Sequence, residues 1–241
     1  MHGGFKGFDK VLWNAETDHK NSSVTFSYFS QDGEEGYPGD LLTNVTYKLG
    51  DDNGLALSMK AVTSKPTLVN LSNHAFFNLA GHDSGASRLK DHTAMVNADH
   101  YTPTTSDLIP TGEIRKVDRT KFDLRTPRKL GDAMEHEGYD VNFCINGKPE
   151  ELRFVCRFQH QASRRAMECF SNQPGLEFYT ANYLPTAGSL RGKDGCSYEK
   201  HGGFVLETQK YPDAINKQFD HDPILRPGQV YVHQVIYKFF F

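Results

Sequence analysis

The sequence predicts an all-β protein, built as a sandwich or a closed barrel. Its candidate strands are short and rich in β-branched and aromatic residues, and clusters of Gly, Pro, Asn and Asp separate them. Helical periodicity is almost absent along the 241 residues. All-β sandwiches and barrels often reach this length as one domain, so we expect a single domain over residues 1–241.

The first half of the chain alternates strand candidates with turns. A glycine-rich loop over residues 1–9 precedes strand-like sequence that starts at residues 11–13. Residues 41–49 and 55–63 predict a hairpin, because a turn of Gly, Asp and Asn joins them. The remaining strand candidates of this half are residues 24–30, 69–79 and 91–101.

The stretch at residues 69–79 carries the most chemistry. Read as a strand, it has a mostly apolar odd face and an even face of Asn70, Ser72, His74, Phe76 and Asn78. A polar face with a central histidine suits the floor of a site for a polyhydroxylated ligand. A solvent-facing strand with an incidental histidine explains the same pattern.

The second half begins with a short helix predicted around residues 130–134. Strand candidates follow at residues 152–160, 165–172, 175–180, 203–209 and 229–240. Glu207 follows three apolar residues in its strand, and a carboxylate there is costly unless it is paired or functional. Partial burial would raise its pKa and make it a better base, although an edge-strand Glu facing water fits equally well.

Two further candidates lie in turns. Asp140 belongs to Gly-Tyr-Asp at 138–140, where an aspartate usually caps its own backbone. Gln173 precedes the Pro-Gly turn at 174–175, where an ordinary loop glutamine is the simpler interpretation.

Composition argues against several classes of function. The net charge of −3 does not favour nucleic acid, and no long apolar run suits a membrane span. The eleven histidines and four cysteines form no zinc-binding motif, so we expect no metal. The absence of an apolar signal segment near residue 1 predicts a cytoplasmic protein with reduced cysteines. Taken alone, these residues indicate a β-domain with side chains suited to acid–base chemistry, but they do not identify a particular reaction.

Motifs in every part of the chain resemble those of the aldose 1-epimerase family. They include His-Gly-Gly at 2–4, Gly-Tyr-Pro-Gly-Asp at 36–40 and Ser-Asn-His-Ala-Phe-Phe-Asn-Leu-Ala-Gly at 72–81. Gly-Tyr-Asp at 138–140, Asn-Gln-Pro-Gly at 172–175 and Gly-Phe-Val-Leu-Glu-Thr-Gln at 203–209 follow in family order.

The resemblance implies a β-supersandwich of mainly antiparallel strands with an open cleft for a free hexose. It also implies cofactor-free interconversion of the α and β anomers of galactose and glucose. By position in the motifs, Glu207 matches the general base and His74 the general acid, while His2, Asp140 and Gln173 match residues that hold sugar hydroxyls. We expect the protein to act as a monomer.

The sequence departs from the family pattern in three places. Family members carry strands before His-Gly-Gly, including an Asn-Arg pair near the sugar ring oxygen, and the sequence begins at Met1 without them. The resemblance therefore predicts a domain truncated at its N-terminus, with weak activity or low stability. Val141 stands where many relatives have His, and Phe76 where Tyr is common.

Three other functions stay open at this stage. A sugar-phosphate epimerase of the same superfamily would need basic residues to grip phosphate, and no cluster is evident. A non-catalytic sugar-binding protein would keep the cleft without turnover. A glycosidase could use Glu207 and Asp140 as a carboxylate pair.

Overall fold

The computed structural model describes residues 2–132, 134, 137–186, 189–219 and 221–241. Its strands, in chain order, are β1 (Asn14–Asp18), β2 (Ser23–Ser30), β3 (Leu41–Leu49), β4 (Gly54–Thr63), β5 (Thr67–Leu68), β6 (Phe76–Phe77), β7 (Thr93–Val96), β8 (Ala98–Thr102), β9 (Arg115–Lys116), β10 (Arg128–Lys129), β11 (Asp140–Ile145), β12 (Arg153–His160), β13 (Arg165–Ser171), β14 (Gly175–Tyr179), β15 (Leu190–Arg191), β16 (Ser197–Tyr198), β17 (Phe204–Gln209), β18 (Ile224–Leu225) and β19 (Tyr231–Phe240). Helical structure in these ranges is limited to α1 (Gly85–Leu89) and the 3₁₀ turns Glu34–Gly36, Leu130–Asp132, Lys193–Gly195 and Ala214–Asn216.

Two antiparallel sheets form the body of the described chain. The larger has the order β1-β2-β3-β4-β19-β13-β12-β7-β10, and the smaller has the order β6-β17-β14-β11-β8-β9. Two short pairs, β15-β16 and β18-β5, lie beside them. This architecture confirms the all-β prediction.

The core lies between the two sheets. Phe158 of β12 stacks on Phe204 of β17 with ring centroids 4.5 Å apart, and it contacts Phe178 of β14 at 5.1 Å. The Tyr237 hydroxyl of β19 donates to the Leu206 carbonyl across the same interface, at 3.0 Å. Alternate residues of β17 and β14 are therefore committed to the core, so their other faces are available for a site.

Several predicted elements differ from the observed ones. The prediction of one strand over residues 69–79 is wrong, because only Phe76–Phe77 pairs as a strand there. Asp140 was expected in a turn, but it begins β11. The predicted helix at residues 130–134 is a 3₁₀ turn, Leu130–Asp132, and residue 133 lies outside the described residues. The single domain over residues 1–241 stays a prediction.

Candidate active site

Two rows of side chains cross the smaller sheet on its outer face. Direct cross-strand pairing places Thr102, Asn142, Glu177 and Glu207 side by side in one row. The neighbouring row contains Asp140, Tyr179, Val205 and Phe76. Residues opposite each other in an antiparallel pair share a face, so the eight side chains form one surface, here called the polar face.

His74 and Glu207 meet at one end of the polar face. His74 Nε2 lies 3.4 Å from Glu207 Oε1, and the two side chains are 28% and 10% exposed. Glu207 reaches this position because Leu206 and Thr208 point into the core, which turns the residue between them outwards. A partly open imidazole beside a buried carboxylate can move protons to and from a bound molecule.

The segment of residues 69–75 runs alongside β17 but forms no backbone hydrogen-bond ladder with it. Its side chains hydrogen-bond to the β17 region instead. Asn70 accepts from the Lys210 amide at 2.9 Å and donates to the Lys210 carbonyl at 3.1 Å. Ser72 Oγ donates to the Thr208 carbonyl at 3.0 Å. These polar side chains replace strand pairing, and they hold His74 opposite Glu207.

Burial and charge act together on the carboxyl groups of the polar face. Burial raises the pKa of Glu207; the His74 charge opposes this shift and the Asp140 charge adds to it. Burial likewise raises the pKa of Asp140, while a hydrogen bond from Tyr183 lowers it. A raised pKa makes Glu207 a stronger base once it is ionised, so the site favours proton abstraction.

Of the residues predicted to hold the ligand, His2 and Asp140 lie at this site. The His2 ring stands edge-on to His74 with centroids 6.3 Å apart. The loop that carries His2 is fastened where the Phe5 amide donates to Glu35 Oε2 at 2.7 Å. Asp140 belongs to the polar face and is close enough to raise the pKa of Glu207.

Gln173 makes its side-chain hydrogen bonds towards the larger sheet, while its Oε1 is buried with no partner among the described residues. Its side chain is buried, and its amide nitrogen donates to Asn172 Oδ1 at 3.0 Å and to the Val232 carbonyl at 3.4 Å. Both partners lie towards β19 of the other sheet. The role of Gln173 towards a ligand stays a prediction.

Glu177 is the carboxylate of the polar face that the sequence did not single out. It stands between the buried residues Leu176 and Phe178 and directly opposite Glu207. The signal was present in the sequence, because a lone carboxylate flanked by apolar strand residues is what singled out Glu207.

Other kinds of site find little support in the described ranges. There, no three His, Cys, Asp or Glu side chains gather closely enough to hold a metal ion. Nor does this part of the chain contain a helix long and apolar enough to cross a membrane. An imidazole paired with a buried carboxylate on an all-β scaffold is an arrangement that suits general acid–base chemistry.

Comparison with known proteins gives the family. A family model described as aldose 1-epimerase matches residues 1–238. Galactose mutarotase from Homo sapiens is 46% identical over 242 residues, which cover 99% of this chain and 68% of that protein. Aldose 1-epimerase from Escherichia coli strain K12 is 31% identical over 248 residues, covering 99% and 70% respectively. The chain belongs to the aldose 1-epimerase family.

Solved structures agree in fold. The crystal structure of an aldose epimerase homologue from C. elegans matches all of this chain and 72% of its own, with a TM-score of 0.89 and 29% identity. Galactose 1-epimerase from Lactobacillus acidophilus matches 96% of this chain and 67% of its own, with a TM-score of 0.81 and 26% identity. The sequence resemblance and the predicted β-supersandwich fold are thereby confirmed.

Proposed function

We propose that the protein interconverts the α and β anomers of free hexoses, galactose and glucose among them, by opening and reclosing the sugar ring. The observation that carries the proposal is the His74–Glu207 pair, 3.4 Å apart at one end of the polar face. The names of the relatives support the reaction, since those cited are galactose mutarotase and aldose 1-epimerase.

Each of the two side chains has one task in each direction. Glu207, as a carboxylate, takes the proton from the C1 hydroxyl while the bond between C1 and the ring oxygen breaks. His74, as an imidazolium, gives a proton to that ring oxygen. The open aldehyde rotates about the bond between C1 and C2, and reclosure returns both protons with the opposite configuration at C1. The reaction is redox-neutral and uses no cofactor.

The remaining family residues would bind the sugar hydroxyls. Asp140 offers a carboxylate acceptor on the polar face, and His2 lies beside His74 where the ring would enter. Gln173 keeps this assignment from the family motif alone. Groups built to bond a hydroxyl reject sugars that lack it, because the site atoms are then left unpaired.

Location and assembly complete the proposal. We expect the protein to work in the cytosol as a monomer on a freely diffusing sugar. Gel filtration of the pure protein, at the concentration used for activity, checks whether it is a monomer.

Polarimetry on freshly dissolved α-D-galactose tests the reaction. The protein should speed the approach to equilibrium without changing the final rotation. Glu207→Gln should lower the rate roughly 10²- to 10⁴-fold while sugar binding persists, because the amide cannot accept the C1 proton.

The matched control is Glu16→Gln, in the fully exposed strand β1, which should exchange anomers at the wild-type rate. Undiminished exchange by Glu207→Gln would show that another group is the base. Release of sugar from a glycoside would instead indicate a hydrolase.

A further inference from the structure

Glu177 lies in the middle of one row of the polar face, with a neighbour on each side. Strand pairing sets it directly opposite Asn142 of β11 and directly opposite Glu207 of β17. Side chains so placed have Cβ atoms about 4.5–5.5 Å apart, which is within reach of a direct hydrogen bond. The hydrogen bonds that these two neighbours can make therefore limit the protonation state of Glu177.

Asn142, the neighbour of Glu177 on β11, has an unpaired acceptor oxygen. Its amide nitrogen donates to Thr102 Oγ1 at 3.1 Å, while its Oδ1 is buried and has no partner among the described residues. A Cβ added at Gly175 would lie only 2.6 Å from Oδ1, so this oxygen lies beside Gly175, two positions along β14 from Glu177. An unpaired buried acceptor is costly, so a hydroxyl donor that reaches Oδ1 would stabilise it.

Glu207 presents acceptors on the other side. Its carboxylate is paired with His74, the cation that faces it from the segment before β6. Asp140 of β11 adds a third carboxyl group to the same surface, and Tyr179 on β14 is uncharged. An ionised Glu177 would face the carboxyl groups of Glu207 and Asp140 and the Asn142 oxygen, whereas a neutral carboxylic acid brings one donor.

We propose that Glu177 is a neutral carboxylic acid at neutral pH and positions Glu207 by donating a hydrogen bond to its carboxylate. The inference rests on Glu207 serving as the base of the proposed reaction. Burial of the Glu177 carboxyl raises its pKa well above the usual range, and the charges of Asp140 and Glu207 raise it further.

One proton thus serves two carboxyl groups, a state that like charges at close range favour. When Glu207 takes the C1 proton it becomes a donor itself. The Glu177 hydroxyl can then turn to the free Asn142 oxygen. When Glu207 returns its proton to the sugar, the Glu177 hydroxyl turns back, so Glu207 has a hydrogen-bond donor whenever it is ionised.

The first test reads the proton itself, without turnover. Infrared spectra of wild type and Glu177→Gln at neutral pH should differ by the carbonyl stretch of one protonated carboxylic acid. Equal spectra in that region would overturn the proposal, whether or not the protein is a mutarotase. They would indicate an ionised Glu177 with the Asn142 amide turned over to donate to it.

The second test is the pH profile of anomer exchange. Above the pH at which Glu177 loses its proton, its new charge makes Glu207 hold the sugar proton too tightly to return it. At alkaline pH, wild-type kcat should therefore fall roughly tenfold more than that of Glu177→Gln, whose amide donates but cannot ionise. At pH 7 the two should agree within about threefold, and Glu16→Gln should follow wild type throughout.

A second variant distinguishes the loss of the Glu177 hydrogen-bond donor from a change in side-chain packing. Glu177→Met keeps the size but offers no hydrogen, so ionised Glu207 loses its bond and the acid limb of the profile should move to higher pH. Superimposable alkaline limbs in wild type and Glu177→Gln would overturn the proposal, and so would identical profiles for the Met and Gln variants.

Discussion

Tyr183 holds Asp140 from outside the polar face. The hydrogen bond between the two side chains lowers the Asp140 pKa, against the larger effect of burial, which raises it. Tyr183 is 69% exposed, so this bond is screened by solvent and its contribution is modest.

Tyr183→Phe should raise the Asp140 pKa and weaken sugar binding at acid pH. With a folded-state pKa already raised, Asp140 loses its charge as the pH falls, and removal of the hydroxyl moves that loss to higher pH. The acid limb of 1/KM for galactose should shift upwards by less than about one pH unit, with kcat at neutral pH preserved. Tyr198→Phe, on the separate β15-β16 pair, is the control; a downward shift in Tyr183→Phe would contradict the assignment.

Among individual residues, the sequence predicted the proposed acid and base better than the side chains that surround them. His74 and Glu207 stood out because each is a titratable residue in a strand-like context, and the structure brings them together. Glu177 was missed because nothing in its own stretch marks it as the partner of Glu207. The pairing of β14 with β17 joins residues thirty positions apart, and only the folded sheet shows that register.

Two buried histidines hold the segment of residues 69–79 at its ends. His233 Nδ1 lies 3.1 Å from the Leu71 carbonyl, which can only accept, so its Nε2 accepts from Thr208 Oγ1 at 2.7 Å. His92 Nε2 accepts from the Leu79 amide at 2.9 Å, while its Nδ1 faces backbone carbonyls. Both rings must be neutral to make these bonds.

Acid should therefore loosen this segment and the whole fold. Burial lowers the pKa of His92 and of His233 from 6.5 to about 4. The unfolded chain thus binds more protons, so stability is full above about pH 6.5 and is lost as the pH falls towards 4. Each histidine should account for roughly 2 kcal/mol of unfolding free energy lost between pH 7 and pH 5.

Urea unfolding at several pH values checks this dependence. His233→Gln should be less stable than wild type at pH 7 but should lose less on acidification. His19→Gln, at an exposed position, should keep the wild-type slope. An unchanged slope in His233→Gln would mean that this histidine is not neutral in the folded protein.

The same segment shows why strand prediction failed there. Alternation of apolar and polar residues over 69–79 is the usual mark of a strand, and the chain does run along β17. The polar side chains of Asn70 and Ser72 bond the backbone of β17, however, in place of a backbone ladder. A local sequence pattern predicts that the chain is extended here, but it does not predict which groups form the hydrogen bonds.

At the scale of the whole molecule, the polar face depends on the packing of two sheets. Phe158 is fully buried and contacts Phe178 and Phe204, each of which precedes or follows an outward-facing residue of the polar face by one position. Loss of this contact would weaken the packing of both β14 and β17 against the larger sheet. The stability of the fold and the geometry of the site therefore both depend on this side chain.

Phe158→Ala should lower the free energy of unfolding by about 3–5 kcal/mol, the usual cost of deleting a buried aromatic ring. Phe154→Ala on the same strand is the matched control and should cost clearly less, because Phe154 is only partly buried and its ring contact, Phe170, lies in its own sheet. Far-UV circular dichroism and the fluorescence of Trp13, the single tryptophan, should report one coincident urea transition if the sheets unfold together. A Trp13 transition that stays in place while the dichroism midpoint falls in Phe158→Ala would show instead that the larger sheet holds its structure without the smaller one.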